Sequence, residues 1–133
     1  MTNDARVLLS PEHREAIVTA ILAVNSFPIE RVQKVLPALR AAQLLDPTYV
    51  ASLDLGPLTV QLYNAGYDRG MLTSRIAERL QALMKAIREG QLDELEAFIR
   101  DRDAEKATAA LVKVWGVGPK VALEAWNLLA SKG

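Results

Sequence analysis

Apolar residues along this chain recur every three or four positions, punctuated by proline and glycine, and strict apolar–polar alternation is scarce. That period belongs to helices rather than strands. Ser10-Pro11 reads as a helix start, an N-cap hydroxyl followed by a proline where no amide donor is needed. The segment behind it, EAIVTAILAV, is mostly apolar, and Ile17, Ile21, Leu22 and Val24 are expected at the centre of the core. Residues 25–28 break it. A second helix is predicted over roughly residues 29–45, with Val32, Val35, Leu36 and Leu39 on one side and Pro37 expected to kink or divide it. Asp46-Pro47 repeats the cap-plus-proline signature and opens a short helix reaching about Leu53.

Gly56-Pro57 starts another short helix, PLTVQLYNA, with Gly66 as its C-terminal glycine and YDRG as the loop beyond. The longest regular segment runs from about Leu72 to Glu89, with Ile76, Leu80, Leu83 and Ile87 as its buried stripe and Gly90 as its stop. Leu92 to Ile99 is acidic and amphipathic. Asp101 or Asp103 caps a helix running to about Val114, WGVG is a turn, and Pro119 to Leu129 is the final helix. With no linker, low-complexity tract or repeat, the pattern predicts one all-α domain over residues 1–133, of roughly seven to nine helices.

Composition narrows the chemistry. At 133 residues, half apolar and 24% charged, the chain suits one domain with a real core. It has no cysteine, and His13 is its single histidine, so thiolate sites are excluded and no metal-ligand spacing emerges from the carboxylates. Charge comes too early at the N-terminus for a signal peptide, and no apolar run approaches spanning length, so a soluble cytoplasmic protein without a membrane partner is expected. Lysine plus arginine equals aspartate plus glutamate, 16 each, which argues against holding long nucleic acid by bulk charge. The distribution is uneven. Residues 60–90 carry five basic and three acidic groups, residues 113–133 three and one, residues 91–112 three and six, and the first 59 residues come to −1.

The feature with chemical potential is WGVGPK, residues 115–120. It is neither a dinucleotide fingerprint nor a P-loop, lacking the preceding strand, the third glycine and the GK[ST] ending. Two readings stand side by side. One is a tight corner between helices that needs positions without a Cβ. The other is a phosphate cradle: glycine amides left uncovered, the positive end of the next helix on the same side, and Lys120 in the first turn as a mobile cation.

VWGVGPKVA resembles the second half of a helix-hairpin-helix motif, spanning about residues 104–130 with its flanking helices. The likeness extends to the helix-hairpin-helix DNA glycosylase superfamily. LYNAGYDRGMLTSRIAERLQAL looks like that family's Gly-Tyr turn and long helix, and EAIVTAILAVNSFPIERVQKVLPAL like its first core helix and successor, so roughly residues 12–130 are covered. The resemblance implies a DNA-repair protein in which Gly116, Val117 and Gly118 form the hairpin. The glycine amides would donate to a phosphate, and nearby carbonyls would be able to hold a monovalent cation. Lys120 falls where glycosylases with lyase activity carry their Schiff-base nucleophile, so it is the candidate catalytic residue.

The chain departs from that pattern. The family's aspartate beyond the helix that the hairpin opens has no counterpart before Gly133, no cysteines are present for an iron–sulfur centre, and neither a base pocket nor a wedge is identifiable. A second likeness, of IAERLQALMKAIREGQLDELEAF to the lyase domain of family X DNA polymerases, repeats the DNA-backbone theme.

Among other residues, Arg69, Arg75 and Arg79 are candidates for a phosphate-facing strip, Arg75 and Arg79 being one helical turn apart. The alternative is a solvated helix face. Tyr63 and Tyr67 are expected to pack around a turn, Trp126 in the core, Trp115 as an anchor of the hairpin rather than a stacking residue, and His13 at the surface. The expected function is DNA binding of repair type, on duplex or abasic DNA, with glycosylase or lyase chemistry an open extension. The alternative is a protein–protein interaction or regulatory module on the same scaffold.

Overall fold

The computed structural model describes residues 9–132, and among these there are eight α-helices and no strand. Helix α1, Pro11–Leu22, begins as anticipated, with Ser10 Oγ accepting from the His13 amide at 3.2 Å. Every residue from Ala16 to Ala23 is buried, because α1 is enclosed on several sides: α2 (Ile29–Ala41), α5 (Thr73–Arg88) and α8 (Pro119–Lys132) all pack on it, α8 most extensively. Fully burying one leucine or isoleucine is worth about 1.5–3 kcal/mol, so α1 is the apolar axis of the domain.

Helix α2 departs from the sequence expectation twice. It is not divided at Pro37, which lies on the exposed side where the carbonyl left without a donor can meet water. It also ends at Ala41, not near Leu45. Gln43 turns left-handed at φ +64°, and the Leu44 amide donates back to the Leu39 carbonyl at 2.9 Å. That reversal drives Leu44 and Leu45 into the core.

Asp46 caps α3, Pro47–Ser52, by accepting from the Thr48 amide at 3.1 Å. Helix α4, Leu55–Asn64, stops at Gly66 (φ +101°), and a short 3-10 turn, Gly70–Leu72, leads into α5. Both α3 and α4 pack against α5, whose inner face carries the predicted Ile76, Leu80, Leu83 and Ile87 together with Ala77 and Met84. Gln81 of α5 donates to the Val50 and Leu53 carbonyls, closing the end of α3.

Helix α6 is shorter than predicted, Leu95–Arg100, because Gln91 to Glu94 form turns after Gly90. Asp103, rather than Asp101, caps α7, Ala104–Val112, by accepting from the Lys106 amide at 3.1 Å. Helices α6, α7 and α8 pack in sequence, which returns the chain to α1. No helix among the described residues is long and apolar enough to cross a membrane.

Candidate functional site

The turn between α7 and α8 is fastened to the core by valines. Val114 and Val117 are buried, and the Val117 amide donates to the Val114 carbonyl at 3.1 Å. Trp115 does not serve as the expected anchor. It is 60% exposed, because Val114 and Val117 already fill the apolar positions under the turn.

The two glycines have different reasons to be there. Gly116 sits at φ +87°, and a Cβ on it would lie 2.8 Å from Cγ of Arg79, so both conformation and contact with α5 favour glycine. Gly118 has ordinary φ and open space around the position of a Cβ. Nothing in the fold requires glycine there. Its carbonyl accepts from the Ala122 amide at 2.9 Å and starts α8, while the amides of Gly116, Gly118 and Lys120 find no acceptor among the described residues. Uncommitted amides at a helix start are ordinary in water. Here they are joined by an unshielded backbone at Gly118.

The arginines divide. The stem of Arg79 packs against Gly116, so this residue does adjoin the turn, and Arg75 lies one turn away on the same helix, exposed. Arg69 is half-buried and committed to contacts within the fold. Its Nη1 donates to the Leu22 carbonyl (3.2 Å), the Val24 carbonyl (3.0 Å) and the Tyr67 hydroxyl (3.3 Å), and its guanidinium lies 4.4 Å from the centre of the Phe27 ring. The physical reason is that α1 ends with carbonyls beyond reach of further helical amides, and Arg69 is the cation nearest them.

Lys120 is exposed on one wall of an open cleft of about 630 Å³, shared with Val121 and Glu124. The facing wall is the α1–α2 connection, with Asn25, Ser26 and Phe27. Asn25 and Ser26 are both left-handed, at φ 63° and 64°, a conformation that costs about 1–3 kcal/mol in non-glycine residues and is held only by surrounding structure. Part of that support is on hand. The Phe27 amide donates to the Ala23 carbonyl, and the Phe27 ring meets Tyr67 edge-on at 5.7 Å between centroids. The cleft escapes sequence reasoning because its walls are some hundred positions apart in the chain, and only the packing of α8 on α1 brings them together.

Tyr67, Tyr63, Trp126 and His13 make contacts within the fold. Tyr67 is buried, with its hydroxyl donating to the Leu22 carbonyl at 2.6 Å, and burial raises its pKa. Tyr63 is exposed and donates to the Gly70 carbonyl at 2.9 Å. Trp126 is half-buried against the core. His13 is not a simple surface residue: its Nδ1 lies 2.7 Å from Oε2 of Glu96, an oxygen that also accepts from the Ser10 amide at 2.7 Å. Burial pushes the Glu96 pKa up, but these two hydrogen bonds outweigh it and hold the carboxyl below its ordinary range. Compared with known proteins, the chain matches no family model, no curated protein and no solved structure.

Proposed function

We propose that the protein binds the phosphate backbone of DNA through the α7–α8 turn, acting as a helix-hairpin-helix. The observation carrying this reading is Gly118, a glycine that neither backbone conformation nor packing demands, beside amides that have no acceptor among the described residues. A missing side chain on an open surface permits close approach of another molecule to the backbone. Amides at a helix start, together with Lys120, favour an anion there. Arg79 and Arg75 add positive charge from α5. Such contacts hold phosphates without reading bases. Because net charge is zero, the grip is local and involves few phosphates.

Lyase chemistry at an abasic site is a second reading, favoured by the cleft beside Lys120. There the Lys120 amine would add to the ring-opened C1′ aldehyde and expel water to form an imine. Titration of labelled intact and abasic duplexes tests the binding reading. With about two phosphates neutralised, affinity should fall about tenfold between 50 and 200 mM salt, and Lys120→Ala should flatten that dependence. Binding that ignores salt, or no binding to either duplex, refutes it. Borohydride trapping on the abasic duplex should capture a covalent adduct in wild type and none in Lys120→Ala if the lyase reading holds.

A further inference from the structure

Trp115 has no role inside the fold. Its 60% exposure is unusual for the largest apolar side chain, since leaving so much apolar surface in water forgoes the gain of burial. The neighbouring valines show that the turn is anchored without it. Its surroundings point to one kind of occupant. Lys113 and Lys120 flank Trp115 in the chain with no carboxylate between them, whereas Lys106 is engaged by Asp103 at 3.9 Å. Arg79 lies under the adjacent Gly116, and the Gly116 and Gly118 amides are uncommitted. A flat aromatic face beside uncommitted donors and local positive charge matches a nucleotide whose base is free to stack while its phosphate meets the turn. A paired base inside a duplex offers no such face.

We infer that Trp115 is a stacking platform for an unpaired nucleobase, so that the turn selects DNA with gaps, overhangs or extruded bases over continuous duplex. This inference rests on the backbone-binding reading of the same turn and adds a preference which that reading does not contain.

The test compares a fully paired duplex with a gapped duplex of equal length and nearly equal charge, by anisotropy of a labelled strand. Wild type should favour the gapped DNA about tenfold, the scale of one base–aromatic stack. Trp115→Ala should lose that preference while keeping the salt-dependent binding to paired duplex, and Trp115→Phe should keep most of it. An unchanged thermal midpoint in Trp115→Ala is expected from the side chain's exposure and separates lost stacking from lost folding. Equal affinity of wild type for both DNAs overturns the platform but leaves the backbone reading standing. Loss of both affinities in equal proportion in a folded Trp115→Ala shows that Trp115 shapes the turn, and overturns it too. Absence of salt-dependent binding to either DNA by wild type removes both readings together.

Discussion

Two places in this protein gather a basic side chain, an aromatic ring and the end of a helix, and they resolve in opposite ways. At the C-terminal end of α1, Arg69 and Tyr67 turn inward and close the last carbonyls, with Phe27 packed against both. At the start of α8, Lys120 and Trp115 are exposed and the amides are left without acceptors among the described residues. Carbonyls enclosed in the core must be satisfied from within the chain, since an unmet buried polar group costs about 1–3 kcal/mol. Amides at the surface carry no such penalty and stay available. The same residue types therefore build structure in one place and leave an uncommitted surface in the other, and burial makes the difference.

The contrast can be broken most forcefully at the inner cluster. Tyr67→Ala empties a buried aromatic site and should cost about 3–5 kcal/mol, measured as a lower urea midpoint. Arg69→Ala should cost about 1–3 kcal/mol by exposing the α1 carbonyls to incomplete pairing, with duplex affinity of the folded protein unchanged. A stable Arg69→Ala variant with weakened DNA binding would move Arg69 to the outer group and dissolve the distinction.

The two glycines sharpen it next. Gly116→Ala forces an alanine into left-handed backbone against Arg79 and should lose about 1–3 kcal/mol of stability. Gly118→Asp adds a good N-cap at a position with open space, so stability should hold within about 0.5 kcal/mol or improve. The same aspartate puts a negative charge where a phosphate is proposed, and duplex binding should disappear. Retained binding in Gly118→Asp would remove the turn from the interface.

The smallest expected effect lies at the opposite end of α1. Glu96 is held below its ordinary pKa in the fold, so its ionised form stabilises the native state above the ordinary carboxylate range. That contribution is lost as pH falls through the lowered folded value. Glu96→Gln should cost about 1 kcal/mol near neutrality and flatten the acid side of the stability profile, as followed by thermal melts across pH. An unaltered acid limb would show that the His13 and Ser10 contacts contribute nothing.

Much of the architecture is legible in the residues. Ser10-Pro11, Asp46-Pro47 and Asp103 announce helix starts through side chains that accept first-turn amides. Gly66 and Gly90 announce ends because their left-handed backbone favours a residue without a Cβ. The ends at Gln43 and Arg102 use the same left-handed reversal with ordinary residues, so nothing local marks them, and α2 is overextended in consequence. The site is legible in part. WGVGPK identifies the turn, but the orientation of Trp115 and the inward course of Arg69 follow from which neighbours had already filled the core.

The sequence by itself determined the all-helical composition, the central place of α1 and the position of the glycine turn, because periodicity, capping and glycine conformations are local properties. Tertiary structure alone decided that Gly116 is held against Arg79 while Gly118 is open, that Lys120 faces Asn25 and Ser26 across a cleft, and that Trp115 is left outside. Those outcomes depend on which distant surfaces meet when α8 packs along α1 and α5 passes beneath the turn, and contacts between distant segments leave no period in the chain to read.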